Sequence, residues 1–487
     1  MKQDRLKKQL ILLRLIAALP GIVAVIMLPA LVMAAAARET VMIRAIALPA
    51  LITAAIALPC FLSLRKKKLN LNARDGYFLV FSTWALASFL GAFPFYLSGR
   101  GISFTDSLFE SACTFATTGA TTIGDVEALP RSLLLWRSAA HWFGGMGIVL
   151  ISVALMPLLG VGGFQLIKAE APGPEKEKIT PKVTVTAKLL WLAYSVLTLV
   201  LFVLYLSGGM DWFDALCHSL TTMASGGVST KNKGIAYFNS SFIDIVSTVF
   251  MLLAGLNFNL YYRLLQGKAR DLIDNTEAKV YLGIFLAASV IIGLSLIPVY
   301  ESPGRAFRYA SYQAASMLST TGAAIANYEN WPGLARMALF GLVFIGGCSG
   351  STAGGIKVIR HVVLWKQMGN ELRRVMYPSG VFSVQLNKRV GRKDVVYGTA
   401  GFVFLYAMII AAVTFLTAAS GVDVFSSFSA ALSITGNVGA GFGAAGPLHN
   451  YGGFTDPVKW LFSFVMIAGR LEMWTVFVLF RRDYWRR

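Results

Sequence analysis

The chain is poor in charge, in cysteine and in histidine, and each shortage removes a class of function. Only 14% of its 487 residues are Asp, Glu, Lys or Arg, where soluble domains run near roughly a quarter. That excludes an ordinary water-soluble globule. The four cysteines, Cys60, Cys113, Cys217 and Cys348, are scattered through apolar surroundings with no CxxC pair. A disulfide framework or thiolate metal site is thereby disfavoured, and small buried residues are the reading. His141, His218, His361 and His449 show no ligand spacing. No His cluster or carboxylate pair is placed for covalent chemistry, so the chain is read as not an enzyme.

What the chain has in quantity is apolar sequence. It is 56% hydrophobic with a mean hydropathy of +0.63. Many runs reach the roughly 20 residues needed to cross about 30 Å of hydrocarbon. A transmembrane barrel would show short alternating strands instead. A polytopic helical membrane protein follows. The net charge of +20 does not point to nucleic acid, because 32 of the 44 Lys and Arg fall in six segments read as cytoplasmic and 12 elsewhere. That is the positive-inside bias, and it puts both termini in the cytoplasm, with anionic membrane lipid or an acidic partner surface as secondary uses of the basic excess. The apolar run Leu10 to Met33 exceeds the roughly 7–15 residues of a signal-peptide core, so it is read as an uncleaved first helix.

The chain also repeats itself. Ala116-Thr117-Thr118-Gly119-Ala120-Thr121 returns nearly intact as Ser319-Thr320-Thr321-Gly322-Ala323. Looser versions are Ala224-Ser225-Gly226-Gly227-Val228-Ser229-Thr230 and Thr435-Gly436-Asn437-Val438-Gly439-Ala440-Gly441. Each follows a short segment opening on Phe104, Phe213, Phe307 or Phe425, at 15, 14, 15 and 14 residues before its glycine. Ten full crossings are expected, over 10–35, 42–64, 76–97, 132–158, 186–207, 240–265, 280–299, a broken helix from Trp331, 396–419 and 456–480. Four half-crossings, 104–116, 212–223, 305–318 and 424–435, lie between them, and 168–182 and 356–393 are cytoplasmic segments.

The short segments rise roughly 16–20 Å as helices, enough to reach mid-membrane but not to span. Non-helical backbone at that depth must be buried in protein or line a water-filled cavity. Four such turns can present rings of carbonyls that replace an ion's hydration shell. Turning consecutive carbonyls one way needs φ > 0, which glycine adopts without penalty. The helix C-termini aimed at the centre favour a cation, and the lack of carboxylates at the turns favours a monovalent one.

Two further features stand out. Gly346-Gly347-Cys348-Ser349-Gly350-Ser351-Thr352-Ala353-Gly354-Gly355 interrupts a return helix, each glycine costing about 1 kcal/mol of helix relative to Ala. It reads either as a flexible small-residue plug or as a close-packing stretch. It lacks the order of a nucleotide P-loop. Arg470 lies about 14 residues, roughly 21 Å, into an inward helix, where a charge faces the interior and usually has a function. Its partner is not expected to be Glu472, which faces another way; a purely structural pairing is one reading of it. Lys357 and Arg360 are read mainly as inside anchors, Asn257 and Asn259 as glue between helices, and Asp106, Glu110 and Asp214 as caps at the starts of the short helices.

With these residues in place, the chain resembles the TrkH/TrkG branch of the TrkH–KtrB–HKT superfamily of potassium transporters. The resemblance covers nearly the whole chain. It is carried by the four turns, by Gly144-Gly145-Met146-Gly147, by Gly346 through Arg360 (GGCSGSTAGGIKVIR) and by Gly469-Arg470-Leu471-Glu472. It implies an all-α membrane protein with four membrane–pore–membrane (M1-P-M2) repeats around a single pore, plus two extra N-terminal transmembrane helices. The expected divisions are 1–70 for the N-terminal pair, then repeats at 71–165, 166–266, 267–360 and 361–487.

The resemblance further implies a potassium selectivity filter formed by Thr117, Thr118, Gly119, Ser225, Gly226, Gly227, Thr320, Thr321, Gly322, Asn437, Val438 and Gly439. Glycine at all four key positions matches the potassium-preferring pattern. The loop with Gly346, Gly347, Ser349, Gly350, Gly354 and Gly355 would be the gate below that filter, with Arg470 beside it. The transported ion would be K⁺, with no organic cofactor. A homodimer in the bacterial inner membrane and a cytoplasmic TrkA-like nucleotide-binding regulatory subunit are implied as well, with no nucleic-acid partner. The competing reading is a secondary transporter of an organic solute that uses broken helices as a midplane site. Its repeats are typically two and often inverted, whereas four run the same way here.

Overall fold

A computed structural model describes residues 2–64, 73–159, 183–387, 389–390 and 393–486. Among these the chain is mainly helical, with one two-residue hairpin pairing Gln385–Leu386 with Arg389–Val390. Arg65 to Lys68 and the expected cytoplasmic loop 168–182 lie outside the described residues.

Apolar length decides where the long helices fall. Leu10–Ala36, Thr40–Leu64, Arg74–Tyr96, Lys188–Ser207, Thr276–Tyr300 and Val395–Ala419 are each long and apolar enough to cross a bilayer. They leave Val32, Leu51, Leu199, Leu286 and Phe415 exposed on their outer faces. Large aliphatic residues pointing outward are what a hydrocarbon solvent permits. The buried interior, by contrast, gathers Ser, Thr and small residues around the repeated turns. The first span is jointed, with helices Lys2–Ala18 and Gly21–Ala36 meeting at Leu19 and Pro20, because proline removes a backbone donor.

The four short helices form where expected: Phe104–Ala116, Trp212–Met223, Pro303–Leu318 and Val424–Thr435. Local chemistry starts each one. Ser103, Asp211 and Asp423 accept a hydrogen bond from an amide of the first turn, and Pro303 opens the third helix. Such caps satisfy donors that the helix cannot. Asp106 is in the first turn of its helix, where its carboxylate meets the Ser103 hydroxyl and Lys459 Nζ, each at 2.7 Å.

Two of the four return helices differ from expectation. The first runs over Arg131–Leu159. The second and fourth were read as continuous, yet both bend sharply. Ser241–Gly255 and Phe258–Leu264 meet at 95°, and Asp456–Arg470 and Met473–Phe480 at 114°. The third stops at Val343 and resumes at Val358, as the glycine run predicts. The second bend has a local cause. Asn257 caps the new helix by accepting from the Asn259 amide, and the Phe258 amide donates to the Gly350 carbonyl at 3.0 Å. Asn257 is therefore a hinge cap, not glue in mid-helix. At the fourth bend Glu472 takes a positive φ of 61°.

Candidate functional site

The four turns share one backbone pattern. The residue two before each key glycine and the glycine itself both have positive φ: Thr117 and Gly119, Ser225 and Gly227, Thr320 and Gly322, Asn437 and Gly439. Left-handed backbone costs a non-glycine residue roughly 1–2 kcal/mol. Four non-glycine residues hold it at the same register, so the surroundings impose it.

The turns also close on one another. A Cβ built on Gly119 would overlap the Gly226 carbonyl oxygen, and one on Gly227 that of Thr321. One on Gly322 would overlap the Val438 oxygen, and one on Gly439 that of Thr118. Each glycine thus abuts the carbonyl just before the next glycine, and the fourth returns to the first. This is a closed ring of backbone, with no charged side chain in any turn.

One residue per repeat holds the ring from behind. The amides of Thr118, Gly226, Thr321 and Val438 donate to the carbonyls of Cys113, Thr221, Ser316 and Ser433 at 3.0, 2.8, 2.9 and 2.9 Å. The same four residues turn their side chains onto the carbonyls just past the glycines. Cys113 Sγ donates to Ala120 and Thr221 Oγ1 to Val228, while Ser316 and Ser433 donate to Ala323 and Ala440. Sequence reasoning treated Cys113 as a small buried residue and passed over the others. The signal was present: a small donor stands six positions before every key glycine.

The acids near the turns act differently from expectation. Glu110 is not a cap; it lies mid-helix, fully buried, and its carboxylate meets Arg137 Nε at 3.1 Å. It also accepts from the Thr122 amide at 2.6 Å and the Thr121 hydroxyl at 2.7 Å. Asp214 likewise receives the Thr230 hydroxyl at 2.7 Å and Lys231 Nζ at 3.2 Å. Asp211 is the cap there. Farther along, Asn232 bonds to the Val126 amide and to Asp125. Its side-chain amide holds the Asp125 carboxyl below the ordinary range.

The glycine-rich stretch 346–355 packs directly against the second, third and fourth turns. Thr352 Oγ1 lies 2.9 Å from Ser225 Oγ, and the Gly354 amide donates to Thr320 Oγ1 at 2.7 Å. A Cβ on Gly354 would overlap the Gly436 carbonyl, and a Cβ on Gly346 that of Gly354. Gly347 and Gly350 are similarly hemmed in, by Ala353 and Asn257. Gly355 holds a positive φ of 69°. Glu277 ties the stretch to the helix that follows it, accepting from the amides of Ser349 at 2.7 Å and Ile359 at 3.1 Å.

Arg470 ties this stretch to two other elements. Its guanidinium donates to the carbonyls of Thr352 at 2.6 Å, Gly144 at 3.1 Å and Gly145 at 3.0 Å. Glu472 pairs instead with Arg360, whose guanidinium also lies 3.7 Å from the Phe402 ring centroid. Lys357 donates to the Ala353 carbonyl. Lys357 and Arg360 are both buried, so they belong to this packed core and are not mere anchors. The reason is the bend at Glu472, which carries an acid to where Arg360 can reach it.

Outward-facing apolar helices enclosing a ring of backbone define a polytopic membrane protein of the transport class. The chain matches the family described as TrkH, cation transport protein, over residues 43–486. It is 38% identical over 427 residues to the Trk system potassium uptake protein TrkH of Escherichia coli strain K12, covering 87% of this chain and 88% of that protein. To the potassium uptake protein TrkG of the same strain it is 36% identical, covering 87% of each. The crystal structure of the potassium transporter TrkH from Vibrio parahaemolyticus superposes with a TM-score of 0.87 at 32% identity, covering 97% of this chain and 100% of that one. The chain belongs to the TrkH cation-transport family, whose members are transporters and not enzymes.

Proposed function

We propose that this protein is a potassium uptake subunit of the bacterial inner membrane, conducting K⁺ through the ring of four turns. The observation that carries the reading is the cyclic approach of Gly119, Gly227, Gly322 and Gly439 to the carbonyls of Gly226, Thr321, Val438 and Thr118. Carbonyls crowded around one axis can replace the water lost by a dehydrated cation. Thr117, Ser225, Thr320 and Asn437, with their neighbours Thr118, Gly226, Thr321 and Val438, supply the remaining filter backbone. Relatives named as Trk potassium uptake proteins support K⁺ as the cargo.

The stretch 346–355 is the gate in this reading, with Gly346, Gly347, Ser349, Gly350, Gly354 and Gly355 giving it small size and Arg470 latching it. Four repeats at 71–165, 166–266, 267–360 and 361–487 follow an N-terminal pair at 1–70, with both termini cytoplasmic. The subunit works as a homodimer with a cytoplasmic TrkA-like nucleotide-binding partner, consistent with relatives named as parts of a Trk system.

Rb⁺ and Na⁺ flux into proteoliposomes tests the reading, for the wild type and Gly119→Ser. Rb⁺ uptake that excludes Na⁺ in the wild type and admits it in the variant is expected. Equal wild-type flux of both ions would remove the filter assignment.

A further inference from the structure

We propose that His141 is a positioning residue of the ion path: its imidazole, reaching across from the first repeat, takes the place of the side chain missing at Gly226 and sets the ring's geometry there. The inference rests on the reading of the four turns as the filter.

Three of the turns carry a β-branched residue in the middle, namely Thr118, Thr321 and Val438, all essentially buried. The second turn has Gly226 instead. A Cβ built on Gly226 would run into His141 Nδ1, with Cγ and Cε1 of the same ring 3.0 Å away. The imidazole therefore occupies the volume that a side chain at 226 would need. Backbone conformation does not require glycine at this position, since Gly226 is absent from the residues of positive φ. The ring of His141 is the obstacle.

The choice of histidine is itself informative. Gly144 and Gly469 stand at equivalent points of the first and fourth return helices. A Cβ on either would overlap the carbonyl four residues before the key glycine of its own repeat, Phe115 or Thr435. Three residues earlier come His141 and Met466, and the same offset from the helix start gives Met251 and Val343 in the other repeats. Only the first repeat has a polar side chain there. His141 is fully buried and, among the described residues, neither ring nitrogen has a hydrogen-bond partner. Burying unpaired polar atoms is unfavourable, and an apolar residue would avoid it. What the imidazole offers is a flat, rigid body that fits beside a turn lacking its own side chain, where methionine is flexible.

The Gly226 carbonyl is the one that faces Gly119. A second turn free to recede toward an empty space at 141 would widen the ring between the first and second repeats. A Cβ at 226 pushing against the imidazole would displace the same carbonyl the other way. Both changes alter the match to a dehydrated K⁺.

The experiment is a double-variant cycle in the full-length protein: His141→Ala, Gly226→Ala and the pair, with Gly119→Ser as control, read as the Rb⁺/Na⁺ flux ratio in proteoliposomes. Each single change is expected to lower the ratio on the order of tenfold. The pair, in which the new methyl enters the vacated space, recovers most of the loss, and Gly226→Thr on the alanine background does so too. A wild-type ratio in His141→Ala, or a pair no better than its worse member, overturns the proposal. If Gly119→Ser leaves the ratio unchanged, the filter reading fails on its own. Thermal unfolding of the cycle in detergent then decides the packing claim, with non-additive midpoints supporting it and additive ones refuting it. Where His141→Ala does not fold, His141→Met serves. Its flexible chain should tolerate Gly226→Ala, and a pair as impaired as Gly226→Ala alone overturns the proposal.

Discussion

Arg470 donates through Nη1 to the carbonyl of Thr352 at 2.6 Å, which joins the bent last helix to the interrupted stretch of the third repeat. Thr352 in turn places its hydroxyl 2.9 Å from Ser225 of the second turn. A cationic side chain, the glycine-rich stretch and the ring are therefore one connected unit. Were the stretch to move away from the ring, it would have to break the contact from Arg470 to Thr352.

Arg470→Ala is accordingly expected to raise Rb⁺ flux in proteoliposomes lacking any regulatory partner. Arg470→Lys should fall between, because an ammonium lacks the planar fork that reaches Thr352 and Gly144–Gly145 together. Hydrogen bonds from a charged group contribute about 1.5–3 kcal/mol each, so on the proposed gate reading the variant loses the bonds to Thr352, Gly144 and Gly145 that would hold the stretch in place. Unchanged flux with a lowered unfolding temperature would assign Arg470 to structure alone.

The four glycines of the ring make a second prediction. Alanine at Gly227, Gly322 or Gly439 must displace a carbonyl oxygen of the next turn and also hold positive φ. Left-handed backbone alone costs about 1–2 kcal/mol. Each variant should lose Rb⁺ selectivity in the same flux assay, whichever repeat carries it. A position that accepts alanine with full selectivity would show that its turn does not line the path.

How far the sequence reaches can be judged at particular residues. Periodicity and spacing placed the short helices within two residues of their observed starts, because polar caps and a fixed interval to glycine mark them. The glycine run 346–355 announced its own break. The bends after Gly255 and Arg470 were missed, since each lies in a sequence apolar enough to continue as helix. Besides the local Asn257 cap, contacts made across the fold, Phe258 to Gly350 and Glu472 to Arg360, accompany these turns. Glu110 was misjudged for a similar reason: its partner Arg137 is on another helix, and nothing local distinguishes a buried ion pair from an exposed cap.

The donors behind the ring lead to a third prediction. Cys113, Thr221, Ser316 and Ser433 each hold the carbonyl just past a glycine. Cys113→Ser keeps a donor of similar size and should retain selectivity. Ser433→Ala removes one net hydrogen bond of about 0.5–1.5 kcal/mol and frees the Ala440 carbonyl to turn. Its Rb⁺/Na⁺ ratio should fall while expression and folding persist, and a ratio equal to wild type would show that the backbone bonds suffice.

The pair Glu110–Arg137 gives the last. Both side chains are buried, at 0% and 3% exposure, and Glu110 also fixes Thr121 and Thr122, which follow the first turn. Breaking a buried pair from one side strands a charge, which costs roughly 3–5 kcal/mol. Arg137→Met should therefore destabilise the protein strongly in thermal unfolding. Glu110→Gln in the same chain removes the stranded charge yet keeps an oxygen to accept from the Thr122 amide. The double variant should recover much of the lost stability, because two neutral groups can pack where a lone carboxylate cannot. Should the destabilisation of the double variant instead equal the sum of its singles, the two side chains would not be coupled and the charge-pair account would fall.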